Sequence, residues 1–173
     1  QLRRTLDQRV EQATRRATRK LESLAYRDPL TDLGNRRLLD EHMDELVNLA
    51  RASQTDLLCM IIDVDDFKDV NDDHGHAAGD EVLVMLSSLI RASTRKGDMA
   101  ARIGGDEFAI FMPGAPIQRA WQFTESLRAM FRRECQVRLG GGKMPNLSIG
   151  VADLNRDGVG DGNHLLEAAD ANL

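Results

Sequence analysis

The chain has 173 residues, of which 42% are hydrophobic, enough for one good-sized core but not for two. Its formal net charge of −5 argues against a nucleic-acid partner. The chain has only two cysteines, which argues against a disulfide framework. It has no run of about twenty apolar residues, which argues against direct membrane insertion. We expect a cytoplasmic chain or the cytoplasmic part of a larger, membrane-anchored protein. The start at Gln1, without methionine, favours a fragment.

Residues 1–26 are charge-rich, contain no glycine or proline, and place apolar residues three or four apart. This spacing predicts a helix with one narrow apolar stripe. The narrow stripe favours a dimerising coiled-coil stalk over a terminal helix lying on its own domain, although the spacing from Val10 to Leu24 breaks a strict heptad. Asp28-Pro29 ends the helix, because the residue before proline is pushed out of the helical region.

Residues 27–173 form the predicted globular domain, and LLCMIIDV within it is typical of a strand buried on both faces. Gly104-Gly105 predicts a tight hairpin turn with positive φ. The expected elements in chain order are a helix over 35–53 with Asn35 as its N-cap, a strand over 57–64, a helix over 77–95, hairpin strands over 99–103 and 107–112, a helix over 118–133, two strands within 136–153, and a helix from 165. This order indicates a split βαβ unit. The predicted fold class is α+β, with an antiparallel-rich sheet flanked by helices around a ferredoxin-like core.

Several acidic residues follow or begin the predicted strands. If the strand from Glu107 lies antiparallel beside the strand that ends near Asp63, these two side chains converge, with Asp106 in the adjoining turn and Asp65 nearby. Two carboxylates about 4 Å apart repel by roughly 4 kcal/mol at an effective dielectric of 20. We therefore expect a cation to bind between these carboxylates and offset their repulsion.

Acids at these positions can also cap a helix or extend into solvent at a hairpin tip. A calcium loop starting at Asp69 is excluded, because His74 occupies its glycine position. Zinc bound by His74 and His76 would need ligands that no Cys or His pattern supplies. Mg²⁺ fits best, since one or two carboxylates and substrate phosphates suffice to hold it.

The segment that follows the first strand offers groups suited to a nucleotide. Backbone N–H groups near a helix start and Lys68 suit phosphates, and no P-loop motif is present. The Asn71 amide and the Asp80 carboxylate can pair with a guanine edge. The alternative is that Asn71 is a turn residue and Asp80 a helix-start acid.

Four segments, RDPLTDLGNRR, DVDDFKDVNDDHGHAAGDEVL, RIGGDEF and NLSIGVAD, occur in this order. From about residue 27 onward the chain thereby resembles the GGDEF family of bacterial diguanylate cyclases. The resemblance implies a nucleotidyl-cyclase or polymerase-palm fold. It also implies condensation of two GTP molecules into cyclic di-GMP and two pyrophosphates, between two domains of an antiparallel homodimer.

The resemblance also implies roles for individual residues. Asp63, the carbonyl of Val64 and Glu107 would bind Mg²⁺, with two ions per active site and Mn²⁺ able to replace them. Asp106, Glu107 and Lys68 would be catalytic, with Asp106 assisting deprotonation of the 3′-hydroxyl or sharing the metal.

The implied substrate contacts lie on both sides of these acids. The expected substrate-binding residues are Asn71 and Asp80 for guanine, Asp66 and Phe67 through backbone N–H groups beside Lys68 for phosphates, and Gly104 and Gly105 for close backbone approach.

Arg95 and Asp98 form an RxxD motif whose arginine lies nine residues before Gly104. In the family this register implies an inhibitory site for cyclic di-GMP. A surface ion pair at a helix end is the alternative.

The chain stops at Leu173, before the lysine, the arginine and the last strand that the family pattern places next. We therefore expect a truncated C-terminal end and weakened phosphate binding. An upstream sensor domain is expected beyond the stalk. The alternative function is a catalytically inactive module that senses GTP or cyclic di-GMP. Inactive modules of this kind normally lack acids or glycines of the GGDEF motif, and here Gly104, Gly105, Asp106 and Glu107 are all present.

Overall fold

The computed structural model of the chain describes residues 11, 25–140 and 144–173. Within these residues the helices are α1 (Arg36–Ser53), α2 (Phe67–His74), α3 (His76–Ser93), α4 (Ile117–Leu139) and α5 (Gly162–Asp170). The strands are β1 (Gly34–Asn35), β2 (Leu57–Val64), β3 (Met99–Arg102), β4 (Glu107–Pro113) and β5 (Leu147–Asp153). None of the helices in the described part of the chain is long and apolar enough to cross a bilayer.

The strands form one sheet in the order β1-β3-β4-β2-β5. β1 pairs parallel with β3, and the other neighbours pair antiparallel. β2 and β3 therefore run parallel with β4 between them, which confirms the split βαβ unit. The sheet is mixed but mainly antiparallel and is flanked by helices, so the predicted α+β class is also confirmed.

The central strand β2 is buried on both faces, as its continuous apolar sequence predicts. Leu58, Met60 and Ile62 belong to the core that includes residues of α3 and α4. The alternate residues of the strand belong to a second core with residues of α1 and α5. The strand therefore anchors both layers of helices.

One predicted strand is wrong. Residues 136–139 continue α4, which ends at Leu139 with Gly140 in the left-handed region at φ 68°. Phe131 and Cys135 are fully buried four residues apart, so the helical face extends beyond the predicted end of this helix. The second strand predicted in this segment is confirmed as β5. Part of the glycine-rich turn between them, residues 141–143, lies outside the described residues.

The β3–β4 hairpin is confirmed, but the predicted backbone of its turn is wrong. Neither Gly104 nor Gly105 has a positive φ. Residues 103–106 connect the strands, and the N–H groups of Ile103 and Gly104 both donate to the Glu107 carbonyl (2.9 and 3.3 Å). A connection of this length does not need the mirror-image turn that a two-residue hairpin requires.

The predicted stalk falls almost entirely outside the described residues. Its junction with the domain is visible, because the Asn35 side chain both caps α1 and donates to the Ala25 carbonyl (3.0 Å). The cap is the predicted one, with the Leu38 N–H donating to Asn35 Oδ1 (3.0 Å). One side chain thus joins the end of residues 1–26 to the first helix of the domain.

Candidate active site

The predicted acids converge at one end of the two central strands. Asp63 of β2 lies directly opposite Glu107 of β4 in the antiparallel register. Asp106 occupies the adjoining turn and is half-buried. On the other side of β2, Ser148 pairs with Asp63 and donates its hydroxyl hydrogen bond to Asp65 Oδ1 (2.6 Å). The acids predicted to meet therefore lie at the same end of the sheet, on and beside the neighbouring strands β2 and β4.

This grouping changes the proton affinity of Asp63. Burial, followed by the charges of Asp106 and Glu107, raises the pKa of Asp63 from 3.8 to about 6. Asp65 and Asp170, at the end of α5, add smaller contributions in the same direction. The cluster thus holds excess negative charge that a cation would offset.

The donor set suits a hard cation that also takes ligands from elsewhere. Asp63 and Glu107 supply carboxylate oxygens, and the buried Val64 adds a backbone carbonyl at the end of β2. Two carboxylates and one carbonyl leave other coordination positions of an octahedral ion open. These residues therefore fit a Mg²⁺ ion that is completed by phosphate oxygens and water.

The turn between β3 and β4, residues 103–106, is called the signature turn below. Its two glycines differ in their surroundings. A Cβ at Gly104 would collide with the Glu107 carboxylate. Around Gly105, nothing lies within 4 Å of such an atom. Gly104 thus leaves room for the Glu107 side chain, whereas Gly105 leaves the outer surface of the turn open.

The residues predicted to bind substrate lie on α2 and α3, which follow β2 directly. Asp66 precedes α2 in the left-handed conformation at φ 57°. Lys68 is exposed in the first turn of α2, and Phe67 and Asn71 are half-buried. Asp80 is exposed near the start of α3. The first N–H groups of a helix have no partner within the helix, so the start of α2 is suited to an anion.

Arg102 and Asp28 hold the signature turn, and neither residue was predicted to have a role there. The Arg102 guanidinium donates to the Gly105 carbonyl (2.7 and 3.2 Å) and pairs with Asp28 (3.2 Å). Burial opposes the charged form of Asp28, but hydrogen bonds from Thr31 and the charge of Arg102 outweigh it, so the pKa of Asp28 lies below its usual value. Both residues occur in quoted motifs, yet a separation of 74 residues conceals their contact.

Arg95 and Asp98 bind each other at the end of α3. Arg95 Nε lies 3.3 Å from Asp98 Oδ1. A terminal guanidinium nitrogen of Arg95 donates to the Pro113 carbonyl (2.6 Å). Arg119 of α4, absent from the predicted site, binds Asp98 Oδ2 at 2.7 Å. The Asp98 side chain is 0% exposed and that of Arg95 is 49% exposed. The arginine is therefore the accessible member of the motif.

A ferredoxin-like sheet whose acids meet beside the start of a helix defines a domain of the nucleotidyl-cyclase or polymerase-palm class. The chain matches the family "Diguanylate cyclase, GGDEF domain" over residues 25–173. It therefore belongs to the GGDEF family.

The chain is similar to part of two curated proteins that are named diguanylate cyclases. The chain is 41% identical to the diguanylate cyclase DgcP of Pseudomonas aeruginosa over 105 residues, which are 61% of this chain and 16% of that protein. It is 38% identical to DgcM of Escherichia coli K12 over 141 residues, 80% of this chain and 33% of that protein. The chain thus spans a third or less of these relatives.

Solved structures share the fold. The coiled coil and GGDEF domain of DgcB from Caulobacter crescentus, in complex with c-di-GMP, superposes with a TM-score of 0.82 at 28% identity. The match covers 97% of this chain and 89% of that one. The diguanylate cyclase SiaD from Pseudomonas aeruginosa, in complex with its activator SiaC, gives a TM-score of 0.77 at 33% identity, over 96% and 64% of the two chains.

Proposed function

We propose that this domain condenses two GTP molecules into cyclic di-GMP with release of two pyrophosphates. The observation that carries the proposal is the antiparallel register that sets Asp63 opposite Glu107, with Asp106 in the turn beside them. Family membership and the names of the curated diguanylate cyclases support the same reaction.

The acidic end of the sheet would hold the reacting phosphates through a divalent metal. Asp63, Glu107 and the Val64 carbonyl would bind Mg²⁺, two ions per site with Mn²⁺ as a substitute. When bound, the metal offsets negative charge on the phosphates and lowers the pKa of a coordinated hydroxyl. Asp106 would accept the proton of the attacking 3′-hydroxyl.

The adjoining helices would orient the nucleotide. Lys68 and the N–H groups of Asp66 and Phe67 would bind the phosphates, because they lie at or beside the start of α2. Asn71 and Asp80 would read the guanine edge. The open surface at Gly105 would admit the substrate to the turn.

Two copies of the domain are needed, since each would supply one GTP. In a homodimer, the 3′-hydroxyl of one nucleotide attacks the α-phosphate of the other. We propose that residues 1–26 pair as a stalk, raise the local concentration of the two halves, and connect them to an upstream sensor domain.

The decisive test is to incubate the chain with GTP and Mg²⁺ and identify the nucleotide products by mass, beside a Glu107→Gln control. Formation of cyclic di-GMP by the wild type alone would support both the cyclase and the role of Glu107. GTP binding without any product would favour the alternative, a module that senses GTP or cyclic di-GMP.

Product feedback through Arg95 and Asp98 is a separate proposal. The exposed Arg95 guanidinium can bind a phosphate or a guanine edge, while Asp98 and Arg119 hold its surroundings in place. Arg95→Ala should therefore relieve inhibition by added cyclic di-GMP and leave the initial rate near that of the wild type. Unchanged inhibition of the variant would refute this assignment.

A further inference from the structure

Gly79 lies in the first part of α3, where that helix faces α2. The residue is buried. A Cβ built on Gly79 would collide with Asn71 Oδ1, and it would lie 3.0 Å from Asn71 Cγ and 3.2 Å from Phe67 Cζ. The side chain of Asn71 thus occupies the space where any other residue at position 79 would place its first carbon.

The backbone gives no reason for a glycine at this position. Gly79 is inside a regular helix and is not among the residues with positive φ. Alanine is the better helix former at such a position, so glycine weakens α3 locally. Something other than backbone conformation must offset that weakness.

The three atoms nearest to the added carbon identify what requires the space. All three are side-chain atoms of α2, from Asn71 and Phe67, and none belongs to the α2 backbone. The conflict therefore concerns the placement of these two side chains more directly than the distance between the helix axes. Both residues belong to the proposed substrate site.

We propose that Gly79 is a positioning residue for guanine recognition. It leaves the pocket that holds the Asn71 amide against α3, one residue before Asp80. This inference rests on the proposed function, in which Asn71 and Asp80 read one base together. A methyl group at position 79 would force the Asn71 side chain to another rotamer, and the amide would no longer reach the base at the spacing that Asp80 requires.

The expected defect is specific to the base. Lys68 and the acids of β2 and β4 are not among the three atoms nearest to the added carbon. Gly79→Ala should therefore weaken GTP binding and reduce the preference for GTP over ITP, which lacks the 2-amino group. Once nucleotide is bound, the reacting atoms remain in place, so the rate at saturation should change little.

The test measures the Kd for GTP and for ITP, together with kcat and KM for cyclic di-GMP formation. For Gly79→Ala we expect the Kd and KM for GTP to rise about tenfold and kcat to change less than threefold, as for loss of a base hydrogen bond. The ratio of the two Kd values should approach one. Ala77→Gly, an exposed change that also alters helix propensity in α3, is the matched control and should leave that ratio unchanged.

A double-mutant cycle separates this role from simple helix packing. In an Asn71→Ala background the obstructing side chain is gone, so adding Gly79→Ala should cost nothing further in GTP affinity. If Gly79→Ala alone does not fold but the double variant does, the conflict with Asn71 is established directly. An equal loss of affinity or of folding in both backgrounds would overturn the proposal.

A failure of this inference can be distinguished from a failure of the cyclase assignment. A wild type that binds GTP but forms no cyclic di-GMP would refute the proposed reaction, while the Kd ratios would still judge Gly79. A wild type that makes cyclic di-GMP, paired with a Gly79→Ala variant of unchanged discrimination, would refute the inference alone. Equal wild-type affinity for GTP and ITP would also overturn it.

Discussion

The acidic residues of the proposed metal site work against the stability of the metal-free domain. Asp63 has a pKa of about 6 because it is partly buried and faces Asp106 and Glu107. At neutral pH the folded chain therefore bears a charge that the unfolded chain would carry at lower cost. A cation bound at the proposed metal site would offset this electrostatic cost.

Asp63→Asn should stabilise the domain in the absence of metal. The pKa of Asp63 is 3.8 in the unfolded state and about 6 in the folded state, so between these pH values only the unfolded state ionises readily. Above pH 6 the folded state carries the full electrostatic cost of the ionised Asp63 side chain. Because Asp63 is only partly buried, we expect a gain of about 1 kcal/mol at pH 7.5 after solvent screening. At pH 4, close to the ordinary pKa of 3.8, the folded state holds the proton and the unfolded state is about half ionised, so most of the gain should be lost.

Urea unfolding in the presence of EDTA, at pH 7.5 and at pH 4, measures this difference. Asp72→Asn, which removes an exposed carboxylate of α2, serves as the control and should have little effect at either pH. A stabilisation by Asp63→Asn that is equal at both pH values would contradict the electrostatic explanation. Under the proposed function the same variant should also lose cyclase activity, since Asp63 is a proposed metal ligand.

The sequence predicts which residues of distant segments meet where strand register brings them together. Asp63 and Glu107 could be placed opposite each other because an antiparallel pair fixes which ends meet. Arg119 could not be connected with Asp98, since no pattern in the chain defines how α4 lies against the end of α3. Gly79 could not be singled out either, because its role depends on the rotamer of a residue on another helix.

At the level of elements, the signature turn depends on support from outside the hairpin. Arg102 joins the Gly105 carbonyl to Asp28, in the loop that precedes β1. Asn35 joins the same region to the end of the predicted stalk. The turn that carries Asp106 is thus connected, through side-chain contacts, to the segment that enters the domain.

Arg102→Gln should lower both cyclase activity and stability. Both side chains of the Arg102–Asp28 pair are 16% exposed, and loss of the pair should cost about 1–3 kcal/mol. The looser turn would misplace Asp106, for which we expect at least a tenfold lower kcat. Rate measurements with saturating GTP, together with urea unfolding, separate the two effects.

Arg132→Gln on α4 is a matched control, because it removes an exposed arginine from another part of the domain. It should change neither quantity appreciably. A kcat of Arg102→Gln equal to that of the wild type would show that the turn holds its geometry without this contact.

Most predicted elements agree with the observed ones within three residues, because long apolar patterns and a clear N-cap define them. Helix α2 and strand β1 were not among the predicted elements, and residues 136–139 were predicted as a strand but are helical. Val-Arg-Leu alternates as a strand would, yet Val137 is 75% exposed on a helix held in place by Phe131 and Cys135. Tertiary burial of the preceding turns decided the structure of this short segment.

For the whole molecule, a single domain presents only half of the proposed reaction centre. The acids lie at one end of β2 and β4 and the proposed base-reading residues lie on α2 and α3. In the proposed reaction this domain holds one nucleotide, and the second would come from another copy. The rate per domain should therefore rise with protein concentration until dimers are saturated. Fusion to a constitutive dimeric coiled coil should remove this dependence and raise the rate at low concentration.

Initial rates at a series of concentrations, compared with mass measurements by light scattering, test this prediction. A rate per domain that stays constant through the monomer–dimer transition would contradict catalysis between two copies. Asp72→Asn can again be the control, because it alters charge without touching the proposed site.

The position of β2 between two partner strands has a further consequence for the motions of the domain. Its amides pair with β4 and β5 along nearly the whole strand and are shielded by both cores, so hydrogen exchange there should require almost global unfolding. Helix α2 has eight residues and only Val70 fully buried, so it can open locally at much lower cost. In the proposed function, local opening of α2 would let the nucleotide enter and leave. The carboxylates at the end of β2 would keep their positions during this opening.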